Sequence, residues 1–271
     1  MHCSKFGLDL PDDGRLISME ESDLKGFHFI RGPKGYVDSD YTIGKTNFFR
    51  DENILLLADH AGEHGGGRQV TILQVGCSTG RETYSLALSL EEASVDYGII
   101  ALDTDPSRVE FAARGLYFSP LHSSPHHWPD RLESLINKQR SSLTEGAPDM
   151  FVLDMDEQYQ GYLLISPHIR QRIRFATADI RAADVLDPID YVVCNNLLEH
   201  YKFDPSQRLG MLRALANLLL PHSLLFTEND KANIPRLEEH YKDMHDEHLL
   251  GEADLREVSV VPGAVCYERI S

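Results

Sequence analysis

From residue 69 onward, short apolar runs alternate with stretches whose apolar residues recur every three or four positions. The runs read as strands: Val70–Val75, Tyr97–Leu102, Ile173–Ala176, Tyr191–Cys194 and Leu224–Thr227. Between them the spacing predicts a helix over Arg81–Leu90 and another from Pro106 to Arg114. Proline suits a first helical turn because its missing N–H would be unpaired there anyway. Gln207–Leu220 carries Leu209, Leu212, Leu215, Ala216 and Leu219 at helical spacing, and a charged helix is predicted over Ile234–Leu249. Such alternation predicts an α/β fold, a doubly wound parallel sheet wrapped by helices. Glu257–Ile270 reads as two strands about Pro262-Gly263, an antiparallel hairpin at the end of that sheet.

Two regions break this rhythm. Residues 1–45 are polar, Gly-rich and weakly periodic, and Asp51–Gly62 reads as a short amphipathic helix. His64-Gly65-Gly66-Gly67 then reads as a flexible connector. The expected division is an N-terminal cap segment over 1–66 and a main domain over 67–271. The second break, 117–165, contains Pro120, Pro125, Pro129, Pro148, several histidines and Trp128, the only tryptophan. It is too long for a simple loop in a compact domain, so an inserted subdomain or lid is expected.

Composition narrows the function classes. With 42% hydrophobic and 25% charged residues in 271, the chain is an ordinary globular one. Its formal net charge of −17 repels phosphate backbones and anionic lipid, which argues against nucleic acid or membrane partners. Cys3, Cys77, Cys194 and Cys266 form no C-x-x-C pair, and no apolar run reaches membrane-spanning length. The first residues lack a signal-peptide pattern, so reduced cysteines and a cytoplasmic location are the expectation.

The chemistry is concentrated after the first strand. Val75 runs into Gly76-Cys77-Ser78-Thr79-Gly80 and then into a helix. Glycines let a backbone approach a ligand, and a helix N-terminus offers N–H groups to an anion. The loop lacks the spacing of dinucleotide fingerprints and of P-loops. Asp103, ending the second strand, suits a ribose diol or a turn, and Asp105 before Pro106 suits a helix cap. Asp179, after the third strand, suits an adenine amino group or a surface turn.

Several motifs then occur in one order. Thr46-Asn47-Phe48-Phe49-Arg50-Asp51 precedes Gly76-Cys77-Ser78-Thr79-Gly80-Arg81-Glu82-Thr83-Tyr84-Ser85-Leu86-Ala87. Asp103-Thr104-Asp105, Ala112 with Gly115 and Tyr117, and Tyr191-Val192-Val193-Cys194-Asn195-Asn196 follow. This series resembles the CheR-type methyltransferases, which esterify glutamate side chains of chemotaxis receptors. The resemblance covers about Thr46 to Phe226. It implies a class I methyltransferase (Rossmann-like) sheet, and S-adenosylmethionine as cofactor. It further implies cofactor contacts from Gly76, Cys77, Ser78, Thr79, Gly80, Glu82, Asp103 and Asn196; by their positions after the fourth and third strands, Asn195 and Asp179 are added as candidate cofactor contacts. Arg50 would reach the cofactor and the acceptor. A carboxylate acceptor is already ionised at neutral pH and needs no base, whereas a hydroxyl or amine would, and His200 and Tyr201 are then candidates.

The chain also departs from that pattern. The family's Arg before the Asn is Asn195 here, and its G-H-S-E is Thr227-Glu228-Asn229-Asp230. No basic helical domain pattern precedes Thr46, and 117–165 is unlike the family's small receptor-binding subdomain. These departures lead to the expectation of O-methyl transfer to a carboxylate or hydroxyl of a small metabolite. A protein-glutamate carboxyl methyltransferase, a non-catalytic S-adenosylmethionine sensor and a nicotinamide enzyme are the alternatives. His122, His126 and His127, and His240, His245 and His248, match no metal-site spacing, so no metal is expected.

Overall fold

A computed structural model describes residues 30–32, 35–37, 48–49, 53–120, 131–132, 134–135, 151–155, 160–181, 189–195, 205–227, 247–258, 261 and 265–270. In chain order the strands are β1 (Ile30–Gly32), β2 (Gly35–Val37), β3 (Val70–Val75), β4 (Tyr97–Asp103), β5 (Leu116–Pro120) and β6 (Phe151–Met155). There follow β7 (Gln160–Ile165), β8 (Ile173–Thr177), β9 (Ile189–Cys194), β10 (Leu219–Thr227), β11 (Leu255–Val258) and β12 (Val265–Arg269). The helices are α1 (Asn53–His64), α2 (Arg81–Glu92), α3 (Pro106–Arg114), α4 (Pro167–Arg170), α5 (Pro205–Leu218) and α6 (Glu247–Glu252).

Seven strands form the main sheet in the order β11-β12-β10-β9-β3-β4-β8. β10, β9, β3, β4 and β8 pair in parallel, and β12 runs antiparallel to both β10 and β11. The doubly wound class I sheet with a terminal antiparallel pair is therefore present. Strand order reverses direction between β3 and β9, and ligands of such sheets bind outside the carboxyl ends of the strands at that point.

The two-residue period of the strands divides the core. Ile72, Ile99, Ala101, Val193, Leu224 and Phe226 point to one face, where they pack with α1 and α2 through Ile54, Leu57, Leu86 and Leu90. Leu73, Ile100, Val192, Cys194 and Leu225 point to the other and meet Met211, Leu212, Leu215 and Ala216 of α5. Burying each of the Val, Leu, Ile, Met and Phe side chains among them contributes about 1.5–3 kcal/mol. Strands covered on both faces read as continuous apolar runs, which is why they were visible without a structure.

Some boundaries differ from the sequence expectation. β10 begins at Leu219, with an irregularity in its pairing to β9 between Leu219 and Leu224, and α5 ends at Leu218. The connector after α1 is a hydrogen-bonded turn: Gly65 N donates to Ala61 O at 2.8 Å and Arg68 N to Gly65 O at 3.2 Å. The inserted segment contributes β5, β6 and β7, a separate antiparallel sheet in the order β5-β7-β6. Of the charged helix expected over 234–249, only 247–249 fall within the described residues, and they open α6. No helix among the described residues is long and apolar enough to cross a membrane.

Candidate functional site

The loop after β3 is built by its backbone. Gly76 N and Cys77 N both donate to Leu102 O, at 2.8 and 2.9 Å, and Gly80 N donates to Cys77 O at 2.9 Å. Ser78 has φ +48°, a left-handed conformation uncommon for a side-chain-bearing residue and of a kind that clusters at ligand sites. Its N–H donates to Asp103 Oδ2 at 2.8 Å, and Asp105 N donates to Asp103 Oδ1 at 3.0 Å. The half-buried Asp103 carboxylate is thereby fixed beside the loop at the end of β4. Asp105 takes the capping role: its side chain accepts from Ser107 N and Arg108 N at the start of α3. The Ser107 hydroxyl, with these backbone donors, holds the Asp105 carboxyl below its ordinary range.

A lock of four buried residues holds the loop against α3. Tyr117 donates its hydroxyl to Thr79 O at 2.6 Å, and Tyr84 donates to Ala112 O at 2.8 Å. Burial pushes the Tyr84 phenol well above its usual range, so it stays a donor. Gly80 has φ +80°, and a Cβ there would lie 2.8 Å from Ala112 Cβ. Gly115 has φ +63°, and a Cβ there would lie 3.0 Å from the Tyr84 hydroxyl. The Ala112, Gly115 and Tyr117 pattern seen in the sequence is thus the seat of this loop.

The N-terminal motif joins the same unit. Phe48 is buried edge-on against Tyr117, with ring centroids 4.9 Å apart. Phe49 N donates to Ser85 Oγ at 2.8 Å, and Phe49 has φ +50°, a strained value for an aromatic residue. Asn53 Nδ2 donates to Thr227 O, tying the start of α1 to the end of β10.

Glu82, in the first turn of α2, accepts from Gln74 Nε2 at 2.8 Å and from Asn195 Nδ2 at 3.1 Å. Asp179 lies past β8, an edge strand, and its carboxylate is engaged by Arg181, whose guanidinium holds it below the usual carboxylate range. The structure thus brings Gly76, Cys77, Ser78, Thr79, Gly80, Glu82, Asp103 and Asn195 together at the reversal point; Asp179 lies on the far side of Asp103, where its neighbour Ala178 N donates to Asp103 O at 2.9 Å, with its carboxylate turned to Arg181. Arg50, Asn196, His200 and Tyr201 lie outside the described residues, as do the side chains of the two histidine groups. No cluster of metal-ligating side chains occurs among the described residues. Cys77 and Cys194 are buried; burial raises both thiols, that of Cys194 to about 12.

Gln74 was missed by sequence reasoning. The available signal was a single amide within an otherwise apolar strand covered on both faces. Ser85 was quoted only as part of a motif, and nothing in helical spacing marks it as the anchor of Phe49.

The residues fit an S-adenosyl ligand. A carboxylate ends β4 beside a glycine loop that opens a helix, and Ser78 Oγ, Asn195 Oδ1 and Gln74 Oε1 are buried with no hydrogen-bond partner among the described residues. The sequence matches the family described as "CheR methyltransferase, SAM binding domain" over residues 44–124 and 136–247. A probable biofilm formation methyltransferase WspC of Pseudomonas aeruginosa is 28% identical over 203 residues, covering 71% of this chain and 42% of that protein. Chemotaxis protein methyltransferase 2 of Vibrio cholerae is 30% identical over 198 residues, covering 68% of this chain and 61% of that protein. A chemotaxis protein methyltransferase of Salmonella typhimurium is 24% identical over 226 residues, with 81% and 69% covered. The chain therefore spans about two fifths of the first relative and under two thirds of the second. It belongs to the CheR methyltransferase family and carries that family's S-adenosylmethionine-binding domain.

Proposed function

We propose that the chain transfers a methyl group from S-adenosylmethionine to a carboxylate side chain of a protein. The observation that carries the cofactor half is the Asp103 carboxylate, pinned by Ser78 N at 2.8 Å beside the glycine loop at the strand-order reversal. The acceptor half is supported by the relatives' names, which describe chemotaxis and biofilm-formation methyltransferases. They favour a protein acceptor over the small metabolite expected from the sequence departures.

In this reading Asp103 accepts hydrogen bonds from the ribose hydroxyls, using lone pairs left beside the two backbone donors. The Gly76–Gly80 loop passes close to the ligand, with Cys77, Ser78 and Thr79 facing it through the backbone. Glu82, Asn195 and Asn196 bind the amino-acid end. Asp179 reaches adenine by exchanging its partner Arg181. When bound, the cofactor supplies an electrophilic methyl on a sulfonium. Arg50 holds the acceptor carboxylate by two parallel hydrogen bonds and aligns it for in-line attack. The acceptor is already ionised at neutral pH, so no base is needed and the transfer does not call on His200 or Tyr201.

The test is incubation of purified protein with methyl-labelled S-adenosylmethionine and a cell extract, followed by separation of proteins from small molecules. Base-labile label released as methanol from the protein fraction is expected. Label confined to small molecules overturns the acceptor assignment, and failure to bind the cofactor overturns the whole reading. Arg50→Ala is expected to bind the cofactor normally and to lose about 10²-fold in turnover, the scale of losing alignment at a reacting group. Undiminished turnover would remove Arg50 from the site.

A further inference from the structure

The carboxyl end of β10 carries a polar side chain that cofactor binding does not use. Thr227, the last residue of that strand, is 2% exposed, and its hydroxyl is buried with no hydrogen-bond partner among the described residues. Its backbone carbonyl is engaged, because Asn53 Nδ2 at the start of α1 donates to it. The hydroxyl is therefore the polar group of Thr227 left for a ligand. A buried hydroxyl without a partner is destabilising, and valine has the same shape without that cost. Local rules are broken in this way at functional sites, where a ligand supplies the missing partner.

The position suits the methyl acceptor. Thr227 stands opposite Cys194 in β9, and the next residue of that chain segment, Asn195, donates to Glu82 in the cofactor site. Neighbouring strands lie about 4.8 Å apart, so the end of β10 is one strand spacing from the cofactor residues. Ligands of such sheets sit outside the carboxyl ends of the strands, and a methyl acceptor must lie against the cofactor it attacks. Asn53 follows Arg50 by three residues, so the contact on the Thr227 carbonyl also ties the Arg50 segment of the chain to this strand end. Thr227 opens the stretch Thr227-Glu228-Asn229-Asp230 that departs from the family pattern, so its hydroxyl is a feature of this chain.

We propose that Thr227 contacts the methyl acceptor, its hydroxyl donating a hydrogen bond to the carboxylate that is esterified. The inference rests on the acceptor reading above. One carboxylate oxygen forms the bond to the methyl carbon as the carbon–sulfur bond breaks, and the bonding pair stays on sulfur, which becomes a neutral thioether. Thr227 holds the other oxygen, and no proton is transferred. The carboxylate loses its charge in this step, so a hydrogen bond to it is strongest before reaction. Such a contact favours binding over turnover, and its loss is read in KM while kcat holds.

Initial rates of base-labile methyl label entering extract protein, at saturating S-adenosylmethionine and graded protein concentration, give an apparent KM and a maximal rate. Thr227→Val is expected to raise the apparent KM by about tenfold, the scale of one hydrogen bond to a charged group, with a maximal rate within about threefold of the parent. Thr227→Ser, which restores the hydroxyl, is expected to stay within about threefold of the parent in KM. Calorimetry should find the same S-adenosylhomocysteine affinity in parent and variants. Thr227→Val should melt no lower than the parent, since it removes an unpaired buried hydroxyl. An unchanged KM in Thr227→Val overturns the proposal, as does a serine variant impaired as far as the valine one. A loss of about tenfold in S-adenosylhomocysteine affinity overturns it by making Thr227 a cofactor contact. A melting temperature several degrees lower in Thr227→Val overturns it by making the hydroxyl structural. A parent protein that binds S-adenosylhomocysteine yet labels no protein overturns the acceptor reading instead.

Discussion

Replacing Gly80 by alanine probes the lock between the loop and α3. The new residue would sit at φ +80°, a left-handed conformation that costs an L side chain about 1–2 kcal/mol. Its Cβ would lie 2.8 Å from Ala112 Cβ, 3.1 Å from the Tyr117 hydroxyl and 3.3 Å from Ala112 Cα. Ala112 has no rotamer with which to retreat, so α3 itself must shift, and overpacking of this kind costs about 1–3 kcal/mol. Together the penalties reach about 2–5 kcal/mol, a melting temperature lower by roughly 4–20 °C in a chain of this size. Thermal denaturation followed by circular dichroism measures it. A second variant separates the two causes. Ala112→Gly alone costs about 1 kcal/mol as a helix-interior glycine, and combined with Gly80→Ala it removes the 2.8 Å clash while leaving the φ penalty. The double variant should therefore be more stable than the sum of the singles by about 1–3 kcal/mol. A Gly80→Ala protein that melts within about 1 °C of the parent, or singles that simply add, would refute the close approach.

Asp103→Asn keeps the shape of the side chain but turns an amide toward two backbone N–H groups, and cofactor affinity measured by calorimetry should fall by about tenfold or more. His60 sits against the Tyr191 hydroxyl at 3.2 Å; burial and then the stacked His64 lower its pKa, against an opposing pull from Glu63. The folded state thus favours the neutral ring, so its stability contribution is present above the ordinary value of 6.5 and is lost as pH falls through the lower folded value. Melting temperature should rise with pH through that window, and His60→Gln should flatten the rise; an identical slope in the variant would exclude His60 as its source. Cys77 and Cys194, buried and with raised thiol pKa values, should resist iodoacetamide at neutral pH in the native protein and react once it is unfolded, as read by mass spectrometry.

Strands covered on both faces announce themselves as apolar runs, and β3, β4 and β9 were therefore legible to within two residues. β10 was not, because Pro221 and His222 interrupt its apolar pattern while the backbone continues extended from Leu219. The three strands of the insertion were hidden for a similar reason: β5 ends in Ser119-Pro120, and its partner β7 lies some 40 residues on. The Gly76–Gly80 loop stood out as one contiguous run, and Asp103, 25 residues on from Ser78, stood out because adjacent parallel strands β3 and β4 end side by side. Gln74 and Asn195 were harder. They meet at Glu82 from two strands far apart in the chain, and only a three-dimensional register brings them together. Ser85 belongs to the same class, since its acceptor role toward Phe49 N depends on how α2 docks.

The placement of β12 between β10 and β11 sets an order of assembly. β11 is made before β12, yet among the described residues pairs only with it, in the register Leu255 opposite Arg269 through Val258 opposite Cys266. A growing chain that has produced β11 therefore has a strand with no partner and, in β10, an open edge that β12 has yet to fill. Unpaired edges of this kind are templates for wrong pairing. Until β12 is seated both edges stay open at once, and this half of the sheet is where an incompletely folded chain is most exposed to wrong pairing.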